Sequence, residues 1–142
     1  MQQLIEYNNE TEYEFSLELV KEIASGLTNK IIELLIVDKD VMQNINFEQR
    51  GIDKSTDVLS FPYDNMPMAP LGSIVICLDY ILDGAKEFKH TPDEEFTLLF
   101  IHGLLHILGY DHETDNNQMR DMERDLIKQY GLPNSLIVRN KG

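Results

Sequence analysis

His102-Gly103-Leu104-Leu105-His106-Ile107-Leu108-Gly109-Tyr110-Asp111-His112 gathers three of the chain's four histidines into one short stretch. Reduced to the positions that matter for a metal it reads H-x-x-x-H-x-x-G-x-x-H. Two histidines four apart on a helix share one face. A glycine three residues later can end that helix in a left-handed conformation, having no Cβ to clash. The chain then turns back and can bring a third imidazole to the same point. Three neutral imidazoles suit one Zn²⁺ with a fourth position open to water, which is the catalytic rather than the structural arrangement. His102, His106 and His112 are therefore candidate zinc ligands.

Working outward, Thr91-Pro92-Asp93-Glu94 is a capping box with proline at the first helical position. The helix it starts runs to Leu108 through Phe96, Leu98, Leu99, Phe100, Ile101, Leu104 and Leu105. It is apolar almost all round, so it is expected to be buried. Upstream, residues 3–7 read as an edge strand and residues 11–27 as an amphipathic helix. The nearly continuous apolar run 31–37 predicts a central strand covered on both faces. Asp38-Lys39-Asp40 can cap a short helix to about Phe47. Polar residues 49–57 read as a loop leading into strand 58–61, which Pro62 halts. Residues 63–70 form a further loop. Strand 72–77 and a helix at 79–88 follow. Thr114 or Asp115 can cap a last helix carrying Met119, Met122, Leu126 and Ile127, which ends at Gly131 before Pro133. The pattern predicts one α+β domain over residues 1–142. Its mixed sheet has about four strands, and the metal site lies on a buried helix and the loop after it.

A chain of 142 residues, 42% hydrophobic and 26% charged, is large enough for a core without disulfides. The one cysteine, Cys77, sits in the apolar run Ile74-Val75-Ile76-Cys77-Leu78 and reads as a small core residue with no basic neighbour to activate it. A lone cysteine favours a reducing compartment. The start, Met1-Gln2-Gln3-Leu4-Ile5-Glu6, lacks a basic region followed by an apolar one, and no run approaches the roughly 18 apolar residues of a membrane span. The expectation is a cytoplasmic protein with no membrane partner. Net charge is −13, from 25 acidic and 12 basic residues. That excludes broad electrostatic coating of nucleic acid but permits a locally positive cleft, to which a bound Zn²⁺ would add.

The histidine stretch resembles the metzincin zinc-protease pattern H-E-x-x-H-x-x-G-x-x-H, with one departure. Where those proteases carry the glutamate that takes a proton from the metal-bound water, this chain has Gly103. The metal site survives the change and the protease reading loses its base.

A second stretch, Arg50-Gly51-Ile52-Asp53-Lys54-Ser55-Thr56-Asp57-Val58-Leu59-Ser60-Phe61-Pro62, puts an arginine and a lysine on a loop before a strand. An arginine can fork two hydrogen bonds to a phosphate. Alternatively, Arg50 pairs with Asp53 or Asp57 at the surface. Taken together, the two stretches closely resemble the YbeY family of bacterial single-strand endoribonucleases. Its H-G-x-L-H-x-x-G-Y-D-H signature appears as residues 102–112 and its R-G-x-D-K-x-T-D-V-L-S-F signature as residues 50–61. The resemblance extends over nearly the whole chain beyond the N-terminal helix. It departs at Gln49, where an aromatic usually precedes the arginine, and at Gly72-Ser73, where Gly-Asp usually opens the strand.

The resemblance implies a zinc ion held by His102, His106 and His112, with Arg50 as the functional arginine. It also implies action on single-stranded RNA in ribosomal RNA processing, the 16S 3′ end included, and in ribosome maturation and quality control. The ribosome or its small subunit would be a partner and DNA would not. The zinc would lower the pKa of its water towards about 7. Attack by hydroxide and attack by the ribose 2′-OH both stay open. Arg50 would neutralise charge on the phosphoryl oxygens, with Lys54 a further contact to substrate. Asp111 is a candidate to orient a histidine or act as base, and equally a turn-forming residue. Glu95, two turns before His102 on the same face, reads as the partner of another polar group. Tyr110 reads as packing under the loop rather than stacking on a base. Two other classes compete: a non-catalytic zinc-binding ribosome-assembly factor and a metzincin-like protease.

Overall fold

The strand Ile32–Val37 (β2) turns alternate side chains to two covered faces, as its unbroken apolar run requires. In the computed structural model, which describes residues 4–64, 66, 68–110 and 117–133, β2 lies inside a four-stranded sheet. The elements before and after it are β1 (Ile5–Asn9), α1 (Glu18–Leu27), α2 (Lys39–Arg50), β3 (Val58–Pro62) and β4 (Gly72–Cys77). Then come α3 (Leu78–Glu87), α4 (Pro92–Ile107) and α5 (Gln118–Gln129). The strand order is β1-β2-β4-β3. β1 and β4 run parallel to β2, while β3 runs antiparallel to β4 at the edge. The α+β class and the mixed four-stranded sheet expected from the sequence are what the structure has.

The alternation sorts the core. Ile32, Leu34, Ile36, Ile74 and Ile76 face one way and pack with Val20 and Ala24 of α1, Ile81 of α3 and Phe96, Leu99, Phe100 and Leu104 of α4. Val37, Val75 and Cys77 face the other way, onto Met42 of α2, with Leu59 from β3. The far side of α4, at Ile101 and Leu105, is covered by Ile23 of α1 and by Met119 and Leu126 of α5. A helix held between a sheet and two other helices needs apolar residues on every side, and α4 has them. Its capping box is formed: the Thr91 side chain accepts from the Glu94 N–H, and the Glu94 carboxylate accepts from the Thr91 N–H. None of the helices among the described residues is long and apolar enough to cross a membrane.

Boundaries differ from the sequence expectation: β1 spans Ile5–Asn9 rather than residues 3–7, and β3 takes in Pro62, opposite Gly72, instead of stopping before it. α1 begins at Glu18, not near residue 11. Asn9 is the reason: its Oδ1 accepts from the backbone N–H and the hydroxyl of Thr11, and its Nδ2 donates to the Tyr13 carbonyl, fixing a turn that competes with helix. Phe15, expected on the helix, instead stacks on Phe96 at 4.6 Å. α2 continues past Phe47 to Arg50, so Arg50 ends a helix and does not stand on a loop. Gly51, at φ 71°, terminates α2 in the left-handed conformation, and its N–H reaches back to the Phe47 carbonyl. The expected caps at Thr114 or Asp115 lie outside the described residues.

Candidate functional site

One turn of α4 separates His102 from His106, and their rings meet nearly edge to face, with centroids 4.7 Å apart at 80°. Their Nε2 atoms lie 3.2 Å apart. Both side chains are partly exposed on a helix whose neighbouring residues are buried, so they open into a cavity. Gly109, at φ 105°, turns the chain out of the helix as the sequence spacing predicts. His112 and Asp111 lie outside the described residues.

The cavity beside the histidines has a volume of about 590 Å³. Its opposite wall is the edge strand β3, through Val58, Leu59 and Ser60, and its rim includes Arg50, Asp57 and Tyr110. Arg50 reaches it because α2 runs three residues further than its apolar residues indicate. Among the described residues Arg50 forms neither an ion pair nor a side-chain hydrogen bond, so its fork is available to a ligand. Asp57 does not hold it: its Oδ1 accepts from the Val58 N–H at 2.8 Å and from the Thr56 hydroxyl at 3.3 Å. Asp53 accepts instead from Gln43. Lys54 is exposed outside the cavity lining, with its carbonyl taking a hydrogen bond from Asn46 Nδ2. Tyr110 packs against the cluster of Ile101, Leu105 and Met119 and also borders the cavity.

Glu123 of α5 is the residue the sequence reading passed over. Its Oε1 sits 2.8 Å from His102 Nδ1, and its side chain is almost wholly buried. A signal was present. Met119, Met122, Leu126 and Ile127 mark the apolar stripe of α5, and position 123 falls on that stripe. A carboxylate on a buried helix face needs a partner. Glu95 behaves as expected and turns away from the cavity to His90, whose Nε2 is 2.7 Å from its Oε1.

Gly103 is also explained by packing. A Cβ there would lie 2.9 Å from Ile74 Cγ2, 3.1 Å from Ser60 Oγ and 3.3 Å from Val58 Cγ2. α4 presses on β3 and β4 at this residue, leaving no room for the glutamate of the protease pattern.

Comparison with known proteins identifies the family. The family described as Endoribonuclease YbeY matches residues 2–131. A protein of Sulfurimonas denitrificans named Endoribonuclease YbeY is 56% identical over 98% of this chain and 100% of its own length. A Nautilia profundicola protein of the same name is 52% identical, covering 97% of this chain and 99% of its own. The solution structure of TM1509 from Thermotoga maritima shares the fold with a TM-score of 0.60 over 87% of each chain, at 26% identity. Matched along nearly its whole length, this chain belongs to the YbeY endoribonuclease family.

Proposed function

We propose that the protein is a zinc-dependent endoribonuclease that cuts single-stranded RNA in the cavity between α4 and β3. Its setting would be the cytoplasm, in ribosomal RNA processing that includes the 16S 3′ end, and in maturation and quality control of the small subunit. The observation that carries the reading is the placement of Arg50 on the same cavity as His102 and His106. The family and the names of its relatives support RNA as substrate.

The spacing of the two described histidines supports a metal. Zinc bound by imidazole at about 2.0–2.1 Å in a tetrahedral site spaces two ligand nitrogens roughly 3.3 Å apart. The two Nε2 atoms are 3.2 Å apart. His102, His106 and His112 would hold the ion. When bound, it supplies Lewis acidity, which makes water a better nucleophile and draws charge from a phosphodiester.

The chain's own groups do the rest. Arg50 forks onto the non-bridging phosphate oxygens and neutralises the charge that grows there during cleavage. Among the described residues Arg50 forms no ion pair, so no existing partner has to be given up to bind a phosphate. In a chain of net charge −13 it supplies the local attraction that composition as a whole does not. Tyr110 borders the site where a base beside the cut phosphate would lie. Lys54, outside the cavity, contacts the strand beyond it. Asp111 is proposed to orient a histidine or accept a proton.

The test is a substrate comparison: a single-stranded RNA oligonucleotide, its duplex and its DNA counterpart, each with protein stripped of metal and then reloaded with zinc. Internal cleavage confined to the single-stranded RNA and restored by zinc is the expected result. Zinc binding without turnover on any substrate would favour a binding factor in ribosome assembly.

A further inference from the structure

We infer that Glu123 is a positioning residue that sets the tautomer of His102 and so makes α5 a working part of the metal site. The inference rests on the zinc reading above and extends it to a residue outside the histidine stretch. An ionised carboxylate can only accept a hydrogen bond. With Glu123 Oε1 2.8 Å from His102 Nδ1, the proton therefore sits on Nδ1. The Nε2 lone pair then faces the cavity, where His106 Nε2 lies 3.2 Å away. Without the carboxylate, His102 could equally protonate Nε2 and point a proton at the site. Metal-binding imidazoles are held in this way by a partner on the other ring nitrogen.

Burial argues that the contact serves the site rather than the fold. The Glu123 side chain is 3% exposed, on a helix face otherwise made of Met119, Leu126 and Ile127. A buried carboxylate–imidazole pair carries a desolvation cost that an apolar pair of similar volume would not, so stability alone does not call for it there.

Glu123→Leu separates the two roles, with Glu123→Gln as a second variant of nearly unchanged shape. Three quantities are read: melting temperature, zinc affinity by competition with a chromophoric chelator, and the His102 tautomer from ring ¹⁵N shifts in metal-free protein. The expected result for Glu123→Leu is zinc affinity down by about 10–100-fold and loss of the uniform Nδ1–H form. Glu123→Gln should lie between wild type and the leucine variant. Affinity and tautomer both unchanged in the two variants would overturn the inference, as would a lower melting temperature with no change of tautomer. If wild type takes up no zinc, the zinc reading fails separately, and the tautomer alone decides the role of Glu123.

Discussion

His106 Nε2 stands 3.2 Å from His102 Nε2 across one turn of α4, with the ring planes crossed at 80°. Helical spacing alone brings two such side chains to one face but leaves their rings free to diverge. Here the His102 ring is held from behind by Glu123, and both rings turn a nitrogen to the same point. His106→Ala should therefore reduce zinc affinity by more than the ~10–100-fold expected from losing a supporting hydrogen bond. Its fold should persist, because His106 lies at the cavity and not in the core. Zinc titration beside circular dichroism checks both statements.

Arg50 is exposed and forms no ion pair among the described residues, so its removal should leave stability within about 0.5 kcal/mol of wild type. The rate of RNA cleavage should fall by about 10²–10³ in Arg50→Ala, the scale of losing one preorganised electrostatic contact. Arg50→Lys should recover only part of this, since an ammonium cannot fork onto two oxygens. Single-turnover rates beside urea denaturation measure the two effects separately.

Gly103→Ala sets two effects against each other. Helix propensity favours alanine by about 1 kcal/mol. Against it, the added methyl would meet the Ile74 side chain at 2.9 Å, with Ser60 and Val58 close behind, and overpacking of this kind costs about 1–3 kcal/mol. The net expectation is a destabilised protein, read as a lower urea midpoint. Gly103→Glu, which would restore the protease pattern, should be worse and should show no peptidase activity.

Cys77 is buried, and loss of solvation pushes its thiol up to about 11 from the ordinary 9.0. Since the folded state holds the proton more tightly, this contribution to stability is complete below about pH 9 and is lost as pH rises towards 11. Iodoacetamide at neutral pH should leave Cys77 unmodified in the folded protein and alkylate it in urea. Denaturation midpoints should fall less steeply above pH 9 in Cys77→Ala than in wild type.

Much of this architecture is legible in the chain because single segments carry it. The apolar circumference of α4, its Thr91–Glu94 cap and the run Ile32–Val37 each identify themselves within a few residues. What was not legible depends on partners distant in sequence or on local competition. The order β1-β2-β4-β3 is a matter of pairing between strands up to 40 residues apart, as Ile36 with Ile76. The late start of α1 comes from the side chain of Asn9, and Arg50 belongs to a helix because Gly51 is a helix stop rather than the first residue of a loop. Glu123 is obscured in the sequence because the apolar residues of α5 are enough to define its buried stripe. On an apolar stripe, the one charged residue is the more informative one.

The most direct test of the proposed site is single-turnover cleavage of single-stranded ribosomal RNA by wild type, His106→Ala and Arg50→Ala, purified identically and assayed at equal zinc loading where zinc is retained. Internal cleavage by wild type, its loss in both variants, and zinc still bound by Arg50→Ala is the expected result. Equal cleavage by all three proteins would contradict the account, because the activity would then come from neither the histidine pair nor the arginine across the cavity.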